Sequence, residues 1–337
     1  MKIDTIDLEK EVLIIAEIGN NHEGDFSLAK KMISAAARAG AHAVKFQTIV
    51  PERFVAPSQK GAFDLFSKFR FNYEQFAQLK ETADGEGVVF LSTPFDIDSA
   101  RFLNSLVPAF KIASGDNNFW PLIETVARTG KPILLSAGMA NSNEILRAKW
   151  FIENLLGPDK TQSSLAVLHC ISLYPTPPGK AHLLSIPALK QRLGVTVGYS
   201  DHTIGTDAAV LAVALGARVI EKHFTLDKNY SDFPDHRISM DPRDLAQLVE
   251  KIAQAGELLG TASPGVGAEE LEVAKVARRS IAASRDLAKG TRLEWDHLTW
   301  LRPGNGLAPG EEGKVLGKIL KSPVPKGNRI LPEDLEN

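Results

Sequence analysis

A chain of 337 residues that is 44% hydrophobic and 24% charged can build one large or two unequal domains, which excludes disordered and fibrous classes. Its formal net charge of -2 leaves no nucleic-acid footprint. The opening MKIDTIDLEKEVLIIAEIG holds one short apolar stretch broken by Glu17, neither a secretory signal nor a membrane span, so a cytoplasmic location without a membrane partner is expected.

Eight apolar runs follow one another as candidate strands: 12–19, 41–48, 88–95, 109–116, 132–139, 165–172, 195–202 and 218–225. Amphipathic stretches separate them. Several of these stretches close on a glycine that opens the next strand, at Gly40, Gly130, Gly194 and Gly216, as helix C-termini do. The runs are almost continuously apolar, as strands buried on both faces should be. This alternation predicts an α/β fold, a (β/α)8 TIM barrel over residues 1–260. A doubly wound open sheet is the rival, but no glycine fingerprint follows the first strand. Cys170 is the sole cysteine, so an internal disulfide and a thiolate zinc cluster are excluded; its apolar run predicts a buried packing residue. Residues 261–277 read as a linker from the small and turn-forming composition of TASPGVGAEE. A small β-rich domain is expected over 278–337, where LAKGTRLEWDHL (287–298) is echoed by VPKGNRILPEDL (324–335). The domain is too small to bury much core alone and is expected to lean on another surface.

In a parallel barrel, strand C-termini converge on one mouth, and residues there read as catalytic. Lys45 in AVKFQT and Lys111 in FKIASGD sit inside apolar runs, where an ammonium without a partner costs several kcal/mol. One reading is a pair of structural salt bridges. The other is an anion site, supported by hydroxyls at equivalent strand ends: Thr93, Ser114, Ser136 and Ser200. His202 and His223 end the last two strands, where two imidazoles can share a divalent metal or serve as satisfied core residues. Glu17, Gln47 and Asp116 end the first, second and fourth strands; the two carboxylates could orient water, shuttle protons or pair with a lysine. His169 is expected to pack in the barrel interior. Arg302, before a Pro-Gly-Asn-Gly turn, could fork onto an amide carbonyl or carboxylate, although arginines at surface turns are common.

Taken together, AEIGNNHEG (16–24), VKFQT, STPF, FKIASGD, LLSAGM, LHCISLYPTP (168–177), GYSDHT, EKHFT, PDH (234–236) and RPGNG (302–306) resemble the sialic acid synthase family over nearly the whole chain. The resemblance implies an enzyme that condenses phosphoenolpyruvate with an amino-sugar aldehyde and water, with C–O cleavage, to give a nonulosonic acid and phosphate. It implies a C-terminal SAF, or antifreeze-like, β-clip domain and a domain-swapped homodimer. His202 and His223 would hold Mn2+, with Mg2+ or Co2+ as alternatives. Lys45, Thr93, Lys111, Ser114, Ser136 and Ser200 would bind phosphoenolpyruvate, and Glu17 and Gln47 would lie in the reactive centre. Tyr174 and Asp235 would lie near the sugar, and Arg302 would come from the partner subunit to hold an N-acyl group.

Two residues depart from the family pattern. Ser172 stands where related synthases commonly have Asn, and Asp116 where they have Glu. Both departures weigh against N-acetylmannosamine as the acceptor; a diacetamido sugar leading to legionaminic or pseudaminic acid and a spore-coat sugar precursor stay open. Two other functions compete: a Schiff-base aldolase using a barrel lysine, and a sugar-binding protein without turnover.

Overall fold

Strand periodicity organises the larger of two units, Met1–Gly260, in a computed structural model that describes residues 1–261 and 265–336. Its eight parallel strands are β1 (Leu13–Gly19), β2 (Ala43–Thr48), β3 (Val89–Pro94), β4 (Phe110–Ile112), β5 (Ile133–Ser136), β6 (Leu165–Cys170), β7 (Thr196–Asp201) and β8 (Val219–His223). The ladder runs β3-β2-β1-β8-β7-β6-β5-β4, so the first strand pairs with the last. Strands β3 and β4 lie side by side at a seam that carries no ladder among the described residues. This is the nearly closed (β/α)8 barrel predicted from the sequence.

Helices α1 (Phe26–Arg38), α2 (Tyr73–Gly85), α3 (Ile97–Leu103), α4 (Trp120–Ala127), α5 (Ser142–Leu156), α6 (Ser185–Leu193), α7 (Asp207–Ala214) and α8 (Pro242–Leu259) follow the strands in turn. Their ends obey local chemistry. Asp25 caps α1 by accepting from the Leu28 amide, and Gly194 ends α6 in the left-handed region at φ +65. No described helix is long and apolar enough to cross a membrane.

Alternate residues of each strand face opposite ways. Ile14, Ala16 and Ile18 join the layer under the helices, whereas Leu13 and Ile15 belong to a second cluster with Ala43, Leu91, Ala109, Leu134, Leu168 and Val219. Inside the barrel, this second cluster is completed by Ile3, Ile6 and Leu8 of an N-terminal hairpin, Lys2–Ile3 against Ile6–Asp7. Continuing each inward row by two residues replaces the aliphatic side chains with Glu17, Lys45, Thr93, Lys111, Ser136, Cys170 and Glu221. The barrel therefore has an apolar half and a polar half, and their boundary sets the floor of the site.

In the second unit, Thr261–Asn337, β9 (Ser280–Ala283) pairs antiparallel with β10 (Leu298–Leu301). The echoed segments obey a local pseudo-twofold relation. Leu287 and Val324 exchange backbone bonds at 2.9 and 2.8 Å, and the bond from Gly290 N to Leu320 O at 2.8 Å matches the one from Gly327 N to Ala283 O at 2.8 Å. Each pair of equivalents is offset by 37 positions, the spacing of the echo. In the segment read as a linker, residues 262–264 lie outside the described residues, and Ala268–Ala277 forms a helix rather than extended chain. AEELEVAKVA lacks Gly and Pro and begins with acidic residues, which suits a helix N-terminus.

Gly198 in β7 fits where no larger residue can. A Cβ there would lie 2.4 Å from Leu168 Cδ2 and 2.6 Å from the Val219 carbonyl. Gly198→Ala is expected to cost about 1–3 kcal/mol through overpacking, read from the denaturant midpoint.

Candidate active site

At the polar end of the barrel, register places Lys45 beside Glu17 and Glu17 beside His223. Lys45 Nζ lies 2.8 Å from Glu17 Oε2 and 3.7 Å from Glu221 Oε2, and donates to Thr93 Oγ1 at 2.9 Å. Lys111 Nζ lies 3.5 Å from Glu221 Oε1, which also accepts from Ser200 Oγ at 2.9 Å. All four charged groups are at most 5% exposed. Gln47 donates to Glu17 Oε1 at 3.0 Å and accepts from Asn20 at 2.8 Å, which fixes its amide orientation.

Burial and charge separate the two carboxyls. Glu17 is pushed up by desolvation, against the attraction of Lys45. Glu221 is held at about 2 despite its burial, because Lys111 and Lys45 flank it. Desolvation lowers Lys111, whereas Lys45 stays above the usual range through Glu17 and Glu221, against its own burial. One carboxylate is thus firmly ionised and the other holds a proton more readily.

The histidines form the other half. Their ring centroids are 5.5 Å apart, and the Tyr174 ring lies 4.1 Å from that of His202, tilted by 32°. The Ile171 carbonyl lies 2.9 Å from His202 Nδ1, so that nitrogen carries the proton and Nε2 is the free position. Burial, then His202 and Lys45, push His223 well below the usual range, which keeps it neutral. His223 Nδ1 is buried without a hydrogen-bond partner, 3.6 Å from Asp235 Oδ2. Against burial, contact with Cys170 and the Ile171 carbonyl raises His202, so the pair accommodates positive charge. A neutral imidazole with an orphaned nitrogen beside a second imidazole fits a divalent cation. Among the described residues no group of three or more His, Cys, Asp or Glu is arranged around a metal position, so water and substrate would complete the shell.

One cavity of about 460 Å³ gathers these groups. It is lined by Glu17, Lys45, Gln47, Thr93, Lys111, Ser114, Ser136, Ser172, Tyr174, Ser200, His202, His223 and Asp235, which the sequence had nominated. Two nominated residues lie elsewhere. Asp116 does not line the cavity among the described residues, because β4 ends at Ile112 and a 3₁₀ turn over Ser114–Asp116 presents Ser114 and Gly115 instead. Arg302 belongs to the second unit, in a shallow groove with Val273, Val276 and Pro303. His169 does not pack inside the barrel: as the neighbour of inward Cys170 it faces the helices, stacks on Tyr199 and pairs with the Ala181 carbonyl at 2.7 Å. Cys170 is buried as expected yet lines the cavity, with its Sγ 3.8 Å from His202 Nδ1.

Glu221 escaped the sequence reading although it stands two residues before His223. Period-two alternation from that histidine points it inward, whereas Lys222 faces outward and pairs with Asp201 at 2.7 Å. The cavity's outer wall takes Phe95 from the end of the 88–95 run, whereas Leu65, Phe66 and Phe233 carry no strand-end signal. A larger space of about 890 Å³, shared at Met139, Cys170 and Ser172, opens between the start of α5 and α6.

Glu221→Ala would leave two buried lysines short of a partner, and a loss of about 3–5 kcal/mol in urea unfolding is expected. Burial pushes Asp116 up to about 6, so folding favours its neutral form and this contribution is lost as pH rises from the ordinary value of 3.8 through 6. Asp116→Asn should therefore raise Tm at pH 8 and change it little at pH 4.

Comparison with known proteins places the whole chain in a family. The NeuB family profile matches residues 32–264, and the SAF domain profile matches 278–336. The N,N'-diacetyllegionaminic acid synthase of Legionella pneumophila is 37% identical, over 96% of this chain and 94% of its own. A pseudaminic acid synthase of Campylobacter jejuni is 34% identical over 100% of both chains. The crystal structure of an N-acetylneuraminic acid (sialic acid) synthetase from Leptospira borgpetersenii superposes with a TM-score of 0.73 at 37% identity, covering 78% of this chain and 90% of that one. Barrel fold and SAF domain thus agree with the sequence resemblance, and the chain belongs to the NeuB family.

Proposed function

We propose that this barrel condenses phosphoenolpyruvate with the open-chain aldehyde of an N-acylated hexosamine and water, giving a nonulosonic acid and phosphate. The observation that carries the reading is the division of one cavity into an anion half at Lys45 and Lys111 and a histidine half at His202 and His223. The names of the relatives support a nonulosonic acid as product, and Ser172, which lines the cavity, weighs against N-acetylmannosamine and leaves legionaminic-type and pseudaminic-type acceptors open.

Lys45 and Lys111, with Thr93, Ser114 and Ser136, hold the phosphate and carboxylate of the donor. This orients C3 toward the aldehyde and converts an encounter of two solutes into one bound geometry. A divalent cation at His202 and His223, proposed as Mn2+, supplies polarisation of the aldehyde oxygen when bound. C3 attacks the aldehyde carbon, and Glu17, inclined by burial to hold a proton, protonates the oxygen. Water then adds at C2 and returns a proton to Glu17, which Gln47 keeps in place at 3.0 Å. The bond from C2 to the bridging oxygen breaks, phosphate leaves with that oxygen and takes the proton of the new C2 hydroxyl, and the 2-keto acid remains.

A Schiff-base aldolase draws on one observation, the lowered pKa of buried Lys111. Glu221 at 3.5 Å favours the charged form of that lysine, which supports the anion-binding reading.

A screen of amino-sugar aldehydes with phosphoenolpyruvate and Mn2+ should release phosphate in stoichiometric yield with the keto acid. Bridging-oxygen label is expected in the phosphate; its retention in the acid would overturn the C–O route. Excess chelator should abolish turnover and Mn2+ restore it, whereas borohydride should trap no adduct.

A further inference from the structure

The loop leaving β1, residues 20–24, ties down two other loops. Glu23 adopts a left-handed backbone at φ +46 and Gly24 follows at φ +86. A Cβ on Gly24 would sit 2.3 Å from the Lys68 carbonyl, so the chain is pressed against the end of the helix Lys60–Phe69. A left-handed non-glycine residue persists where surrounding contacts hold it. The Glu23 side chain makes those contacts. Its Oε1 accepts from His236 Nε2 at 3.2 Å and from the Ser231 hydroxyl, and its Oε2 lies 3.9 Å from Lys68 Nζ. A carboxylate can only accept, so Glu23 fixes Nε2 as the protonated nitrogen of His236; Nδ1 then accepts from Thr225 Oγ1 at 2.7 Å. Asn21 adds a second tie, donating at 2.8 Å to Ser239 Oγ, which itself donates to the Asp235 carbonyl.

The tethered segment forms one wall of the cavity. Phe233 and Asp235 line it, and Asp235 Oδ2 reaches to 3.6 Å from His223 Nδ1. Phe233 packs edge-on against Phe69 at 5.2 Å, which joins the same wall to the Lys60–Phe69 helix. Lys45 and Lys111 stand on strands β2 and β4 and take no contact from Glu23.

We propose that Glu23 is a positioning residue for the acceptor sugar, holding Asp235 and Phe233 at the cavity edge through His236 and Ser231. The proposal rests on the synthase reading above, and the wall it governs is the one beside the histidines.

Steady-state kinetics of Glu23→Ala and Glu23→Gln test it. Glu23→Ala is expected to raise the acceptor KM about tenfold while the phosphoenolpyruvate KM stays within about twofold, and Glu23→Gln, which keeps the oxygen acceptor, to recover most of the loss. Equal weakening toward both substrates, or no change, overturns the inference. Wild-type protein that releases no phosphate with any aldehyde sinks the synthase reading instead, and hydrogen exchange then decides the positioning role. Amides of residues 231–239 should exchange faster in Glu23→Ala and as in wild type in Glu23→Gln; unchanged exchange in Glu23→Ala overturns it.

Discussion

Everything at the barrel mouth depends on four charges that have little water to solvate them. Lys45 and Lys111 stand between Glu17 and Glu221, and each group is nearly fully buried. Removing an ammonium or a carboxylate from water costs several kcal/mol, so each group has to be neutralised by the others or by a ligand. Glu221 contacts both lysines and stays ionised; Glu17, inclined to hold a proton, leaves the network with spare positive charge. A compact anion can occupy that surplus. The same network keeps the lysines from collapsing onto the apolar floor below, so the site is ordered before a substrate arrives.

The floor itself comes from a strand property. Inward positions recur every second residue, and in seven of the eight barrel strands they pass from aliphatic to polar toward the C-terminal end. Leu13, Ile15 and Glu17 make one such row, and Val219, Glu221 and His223 make the row registered against it. The hairpin at Lys2–Asp7 closes the opposite end with Ile3 and Ile6, which keeps the polar end as the accessible one.

How much of this was legible follows from the same alternation. Lysines and histidines inside apolar runs stand out because burying them without a purpose is costly, and those residues were found. Glu221 is harder to read because EKHFT carries three polar residues in a row, and only strand alternation separates them by face. Sorting from His223 sends Glu221 inward and Lys222 outward to Asp201. The same step sends His169 outward once Cys170 is inward. Asp116 was assigned to a strand end because FKIASGD was read as one run, yet small and turn-forming Ser-Gly-Asp stops the strand at Ile112. The terminal hairpin carried too few apolar residues to register as strands; Ile3, Ile6 and Leu8 gain meaning only against the barrel's open end. In the SAF domain the repeat in the sequence anticipated the geometry well, since backbone bonds related by the repeat spacing recur in the structure.

The two halves of the cavity are built from different material. The anion half sits largely on strands β2, β3, β4 and β5, whose positions are set by ladders and by packing on both faces. The wall around the histidines draws on the segments that follow the strands: Ser172 and Tyr174 after β6, Phe233 and Asp235 after β8. Loops tolerate substitution and strands buried on both faces do not. A donor common to a family would suit the rigid half, and acceptors that differ between members would suit the variable one. This division is compatible with relatives of one fold carrying the names of different acids. It also sets a requirement, because a loop-built wall must still be held to within a fraction of an ångström to orient an aldehyde. Tethers such as the one at Glu23 meet it: they lie behind the wall, so the residues facing the substrate can change while the frame that aims them stays in place.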